Sequence, residues 1–214
     1  MNSLRVWMGH AWVKPCVFAM ALMPSVWLLV AALTDQLGAN PAEALERATG
    51  LWTLRMLCVV LAVTPLRVTL QLAVLARWRR MLGLFVFYYA VLHASAYAVF
   101  DMGLEWSDIM ADIAKRPFVL VGALALVLLS ALALTSFNRA IRLLGGRRWQ
   151  WLHRAVYAVA ALVILHFFWM RAGKNNFADV VLYGAVLAGL LGWRLRRLLG
   201  DGALGLGGRY KEPV

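Results

Sequence analysis

Charge is scarce in this sequence, and negative charge is scarcer still. Only 15% of the 214 residues are charged, with ten Asp and Glu against 22 Lys and Arg, a formal net charge of +12. A soluble domain typically carries about 25% charged and about 45–50% apolar residues. Here 63% are hydrophobic and the mean hydropathy is +0.73. That excludes an ordinary cytosolic globule. It also excludes intrinsic disorder, because a chain this apolar does not stay solvated. Cysteine is nearly missing. Cys16 and Cys58 build no disulfide framework and read as small apolar packing residues. A nucleic-acid binder would array its basic residues on a water-facing surface. In this chain they punctuate long apolar runs, so the partner they imply is a lipid bilayer and no nucleic acid is expected.

The runs are long enough to cross a membrane, since about 20 apolar residues span roughly 30 Å of hydrocarbon as a helix. The sequence predicts an all-α, polytopic membrane protein, a six-transmembrane-helix bundle with spans at about 15–34, 49–66, 81–100, 117–138, 152–170 and 177–193. The first, third and fourth are uncharged; the second holds Arg55, the fifth Arg154 with two histidines, and the sixth Asp179 near its start. Arg5 and Lys14 precede the first run as in a signal peptide. Its length and the lack of a small-x-small site after it favour a retained helix. Pro117 suits a first helical turn, and Pro65 falls where the second helix can stop. There is no internal repeat, linker or second domain. The Gly-rich tail, with Gly202, Gly205, Gly207 and Gly208, follows no strand and so does not read as a dinucleotide loop.

Basic residues in short loops mark the cytoplasmic side. The leader, the loops after the second and fourth spans, and the tail together carry 16 of them, including Arg67, Arg77, Arg79, Arg80, Arg147 and Arg148, against two acids, Asp201 and Glu212. The opposite face has five, Arg47, Lys115, Arg116, Arg171 and Lys174, against eight acids. One face is therefore +14 and the other −3, with Arg55 between them. This alternation places both termini in the cytoplasm. Trp52, Trp78, Trp106, Trp149, Trp151 and Trp169 lie near the predicted span ends, as an aromatic belt does.

Ionisable groups within spans are costly and are functional candidates by default. His10, in the leader, reads as interfacial. His93 follows the basic Arg80, and His166 follows Arg154, at nearly equal spacing on spans that run in the same direction. At about 1.5 Å per residue, both rings lie about 18–20 Å above the basic edge. Two imidazoles at equal depth on different helices can bind one heme iron from opposite sides. Zinc is the rival, but no carboxylate or thiolate at that depth completes a tetrahedron. His153 precedes His166 on the same span, about 20 Å lower and rotated by about 140° on an ideal helix. It is a candidate ligand for a second heme near the inner face. Its opposite number on the third span is Arg79, and arginine stays protonated and ligates iron poorly. The other reading makes His153 an interfacial residue at an inner electron-uptake site. Arg55 is expected to pair with a propionate of a heme held by His93 and His166, or to snorkel to the outer interface.

At these residues the sequence resembles the MsrQ (YedZ) family of heme-binding membrane subunits, which belongs with the ferric reductase-like and NADPH oxidase membrane domains. The matching segments are Leu37-Gly38-Ala39-Asn40-Pro41, Thr49-Gly50, Thr64-Pro65-Leu66, Arg79-Arg80-Met81-Leu82-Gly83-Leu84, Leu92-His93 with Tyr97, Arg116-Pro117-Phe118, Arg148-Trp149-Gln150-Trp151-Leu152-His153 with Val156-Tyr157, and His166-Phe167-Phe168-Trp169. No single segment decides; their order and spacing together are specific. The resemblance implies one ferric reductase-like domain over residues 1–214 in the bacterial inner membrane. It implies an electron conduit through heme b, fed from the quinone pool or by a cytosolic flavin reductase through FMN. The acceptor it implies is a periplasmic molybdopterin enzyme, MsrP, that reduces methionine sulfoxide in oxidised envelope proteins. The family's three histidines map onto His93, His153 and His166. Arg79 stands where the larger oxidases have a fourth. Those oxidases also carry flavin and NADPH domains that this chain lacks, so a separate donor is implied. Trp149, Gln150 and the basic loop beside them are candidates for an FMN site, since arginines suit a flavin phosphate.

Two alternatives stay open at this point. One is a heme subunit serving another acceptor, such as a ferric-chelate reductase. The other is a cofactor-free transporter or anchor, against which stands the absence of a buried acid for proton coupling.

Overall fold

A computed structural model describes residues 10–173 and 175–203, with Leu198 and residues 201–203 as backbone only. Arg5, Lys174, Arg209, Lys211, Glu212 and the tail glycines Gly205, Gly207 and Gly208 lie outside the described residues. All regular structure described is helical: α1 Val13–Leu33, α2 Pro41–Thr69, α3 Ala76–Ala96, α4 Trp106–Lys115, α5 Pro117–Leu134, α6 Asn138–Leu144, α7 Gly146–His153, α8 Val156–Ala172 and α9 Ala178–Ala203. A 3₁₀ turn at Ala73–Leu75 leads into α3, and a turn of π-helix at Tyr97–Asp101 continues it. Among the described residues, six helical segments are long and apolar enough to cross a membrane: α1, α2, α3 with its flanking turns, α5, α7 joined to α8, and α9 through Arg197. Only 11–39% of the residues in their most apolar windows are buried inside the protein. Side chains such as Met23, Leu33, Val127 and Val181 are exposed on their outer faces. Outward apolar faces of this extent suit hydrocarbon and would aggregate in water.

The helix ends differ from the expected ones for local reasons. α2 starts well before Thr49. Asn40 caps it by accepting from the Glu43 N–H at 3.2 Å, and Pro41 occupies the first turn, where its missing N–H costs nothing. Those signals outweigh the charges of Glu43, Glu46 and Arg47. α2 also runs through Pro65 to Thr69. Pro65 leaves the Leu61 carbonyl without its helical N–H, and Arg194 Nη2 donates to that oxygen at 3.3 Å. α5 stops at Leu134, and just beyond it Thr135 Oγ1 and Ser136 Oγ each bond back at 2.7 Å, to the carbonyls of Ala131 and Leu132. The Ala131 carbonyl also keeps its Thr135 N–H, while the Ser136 N–H turns to Ala133, so the Ser136 hydroxyl serves a Leu132 carbonyl that the helix end leaves open. The expected fifth helix is broken at Arg154 and Ala155, between α7 and α8. The rotation reckoned for an unbroken helix therefore does not apply to His153 and His166.

α2 lies along α3 and α5 lies along α8; these are the two most extensive pairings, and α3 joins them by touching α5. α9 closes against α2 and α8, and α1 against α3 and α2. Leu57, Tyr89 and Val159 are completely buried at the centre. Tyr89 Oη donates to the Ala21 carbonyl at 2.8 Å, which satisfies a hydroxyl that would be costly to bury alone. Between α3 and α5, the short α4 is pinned through Asp112. Its Oδ2 accepts from Tyr97 Oη at 2.7 Å and its Oδ1 from Arg116 Nε at 2.9 Å. Trp106 and Trp151 are exposed, as a belt requires. Trp78 is buried, and Trp52 stacks against Tyr89 at 6.2 Å. Trp78 is interior and Trp52 half-buried against the core, because α2 and α3 begin before the expected bounds. Cys58 packs against the core, whereas Cys16 is exposed and does not serve as an interior filler.

Candidate functional site

α3 and α8 bring the His93 and His166 rings together. Their ring centres are 6.1 Å apart, with planes inclined at 77°. Each ring is tied back to a different neighbouring helix. His93 Nδ1 lies 2.9 Å from the Glu46 carbonyl oxygen on α2. His166 Nδ1 lies 2.7 Å from the Phe118 carbonyl oxygen on α5. A carbonyl only accepts, so each Nδ1 carries the proton and each Nε2 keeps its lone pair. Such a bond on the far nitrogen holds a metal-binding histidine in one tautomer and raises its basicity.

The pair fits a six-coordinate iron with two axial imidazoles. An imidazole centre lies about 1.1 Å from its nitrogens and metal–imidazole bonds are about 2.0–2.1 Å, so two rings on one metal stand about 6.3 Å apart. The observed 6.1 Å matches. Among the described residues no three His, Cys, Asp or Glu side chains gather as a metal site. Two imidazoles alone do not complete a tetrahedral site, whereas paired imidazoles are a donor set that heme accepts.

His153, at the end of α7, belongs to a separate place. It lines a cavity of about 80 Å³ together with Arg79, Arg80, Trp149 and Arg194. The structure thus brings His153 and Arg79 to one cavity, apart from the His93–His166 pair. The His153 ring stacks on Trp149 with centres 4.0 Å apart. Its Nε2 lies 3.1 Å from Thr135 Oγ1, and Trp149 Nε1 donates to the Thr135 carbonyl at 2.8 Å. To bind iron through Nε2, His153 must give up its contact with Thr135.

Arg55 does not snorkel away from the bundle. Its Nε donates to Tyr183 Oη on α9 at 3.0 Å, and its guanidinium lies over the Trp52 ring at 4.7 Å. Among the described residues no carboxylate pairs with it. Four of its five N–H donors remain for another acceptor. Sequence reasoning missed Tyr183 and Arg194, which depend on where α9 docks. It also missed the carbonyl partners of the histidines, which no side-chain pattern encodes.

The ferric reductase like transmembrane component family matches residues 49–165. That stretch contains Arg55, Arg79, His93 and His153 and ends just before His166. The protein-methionine-sulfoxide reductase heme-binding subunit MsrQ of Polaromonas naphthalenivorans is 57% identical over 214 residues, covering 96% of this chain and 98% of the relative. The protein of the same name from Ralstonia nicotianae is 51% identical over 183 residues, covering 86% and 84%. That from Herminiimonas arsenicoxydans is 51% identical over 179 residues, covering 84% and 82%. No solved structure matches. With relatives this similar over nearly the full length, and with two half-buried histidines brought together between α3 and α8, the chain belongs to the MsrQ family of ferric reductase-like transmembrane proteins.

Proposed function

We propose that this chain is the heme-binding membrane subunit of a protein-methionine-sulfoxide reductase and carries electrons across the bacterial inner membrane. The observation that carries this reading is the His93–His166 pair, 6.1 Å apart with both Nδ1 atoms tied to carbonyls. His93 and His166 hold heme b through Nε2. When bound, heme supplies a one-electron carrier whose potential follows its axial ligands and surroundings. Arg55 offers its free donors to a propionate, and Tyr183 and Trp52 hold the guanidinium in place for that pairing.

Both termini face the cytoplasm, by the +14 against −3 partition of charge between the faces. Electrons enter there from the quinone pool or from a cytosolic flavin reductase through FMN. The cavity of His153, Arg79, Arg80 and Trp149 supports an inner uptake region. His153 holds a second heme there or shapes the uptake site, and the neighbouring arginines with Gln150 suit a flavin phosphate. The acceptor on the outer face is a periplasmic MsrP-type molybdopterin reductase, on which the methionine sulfoxide chemistry takes place. The matched family's description favours a second reading, reduction of a ferric chelate. Co-purification with the reductase, and electron transfer to it from the reduced chain, separates the two. Failure of both, alongside rapid reduction of a ferric chelate, favours the second.

A further inference from the structure

The two facing histidines are seated by one device used twice. In an α-helix the carbonyl of residue i accepts the N–H of residue i+4. The carbonyls that meet His93 and His166 belong to Glu46 and Phe118, and at the i+4 positions stand Gly50 and Gly122. A carbonyl oxygen has two lone pairs, so it can serve its own helix and an incoming imidazole together. The imidazole reaches it only because residue i+4 has no side chain. A Cβ at Gly50 would stand 3.1 Å from both Nδ1 and Cε1 of His93. A Cβ at Gly122 would stand 2.9 Å from Nδ1 and 3.0 Å from Cε1 of His166. Glycine inside a helix costs about 0.8–1.0 kcal/mol relative to alanine, so its place there calls for a packing reason. Among the described residues through Gly200, the other helical glycines show no such contact. Gly184 meets only Ile164 at 3.8 Å, and Gly189 and Gly192 have nothing within 4 Å.

We propose that Gly50 and Gly122 are positioning residues for the two iron ligands, each opening a notch that sets its imidazole's tautomer, plane and basicity. This rests on the reading of His93 and His166 as the axial pair. The notches lie on α2 and α5 while the ligands lie on α3 and α8, so each ligand plane is set by a different helix. The result is the 77° between the planes. Near-perpendicular imidazole planes give low-spin ferric heme a highly anisotropic EPR signal, and parallel planes give a rhombic one.

The test uses the full-length chain as wild type, Gly50→Ala, Gly122→Ala, Gly189→Ala and the double variant His93→Ala with His166→Ala, each titrated with hemin in detergent. EPR of the oxidised protein, the midpoint potential and hemin affinity are read on each. Wild type and Gly189→Ala are expected to share one highly anisotropic signal, which the double variant loses. Gly50→Ala and Gly122→Ala are expected to shift that signal and to raise the potential, as the imidazole loses its carbonyl partner. Loss of the hydrogen bond that supports a metal-binding histidine typically weakens metal binding about 10–100-fold, and a weakening of that order is expected here. Glycine variants indistinguishable from wild type, beside a double variant that loses the centre, overturn the notch proposal alone. A low-spin centre that survives in the double variant overturns the ligand reading and the notch with it. If an alanine variant does not fold, the wild-type signal decides, because a rhombic signal contradicts imidazole planes held near-perpendicular.

Discussion

Arg194 donates to the carbonyl of Leu61, the oxygen that Pro65 deprives of its helical partner. The guanidinium also bonds Tyr157 Oη and lies over the Tyr157 ring at 5.1 Å, so α9 is fastened to both α2 and α8. A carbonyl left bare in hydrocarbon is costly. Arg194→Leu is expected to destabilise the detergent-solubilised protein by about 1–3 kcal/mol. Pro65→Ala restores the N–H and should reduce that loss, giving a coupling energy of about 1 kcal/mol in a double-mutant cycle. Strict additivity of the two substitutions in denaturant unfolding would show that the bond contributes nothing.

Asp112 joins α4 to both neighbours, accepting from Tyr97 at 2.7 Å and from Arg116 at 2.9 Å. Asp112→Asn keeps the shape but removes the charge that strengthens both bonds. Faster hydrogen exchange confined to Trp106–Lys115 and the Tyr97–Asp101 turn is expected, with a loss of about 1 kcal/mol. Exchange unchanged in α4 would mean that apolar contacts alone hold it.

Arg55 supplies a positive charge within the bundle, held by Tyr183 and Trp52. A nearby cation favours the reduced, more negative state of a heme. Arg55→Leu is expected to lower the midpoint potential of the His93–His166 centre. Tyr183→Phe should have a smaller effect in the same direction, because the charge remains and only its fixing is lost. Unchanged heme content and potential in Arg55→Leu would sink the propionate pairing.

His153 and the His93–His166 pair occupy different places, so their loss should be separable. His153→Ala is expected to keep the spectrum of the His93–His166 centre while slowing its reduction by a quinol or a flavin reductase. A variant reduced as fast as wild type by both donors would remove His153 from the electron path.

The six spans are readable from the chain alone, because an apolar run of membrane length reports a physical constraint. The matched spacings from Arg80 to His93 and from Arg154 to His166 suffice to place the two histidines at one depth, since rise per residue in a helix is constant. Helix ends are less legible. The Asn40 cap and Pro41 extend α2 against a hydropathy signal that starts at Thr49, and the break at Arg154 and Ala155 has no Gly or Pro to announce it. The carbonyl partners of the histidines are not legible at all. Gly50 and Gly122 are visible as residues, but their meaning depends on which helix lies against which. The same holds for Arg55 and Tyr183, far apart in the chain yet hydrogen-bonded, and for Arg194 against Leu61.

Ligation of heme b by His93 and His166 is tested most directly by the dithionite-reduced minus oxidised absorbance spectrum of the purified protein, recorded for wild type and for the His93→Ala, His166→Ala double variant at equal protein concentration. A b-type band in wild type that disappears in the folded double variant is the predicted result. No such band in wild type, or a band that survives the loss of both histidines, would contradict the account.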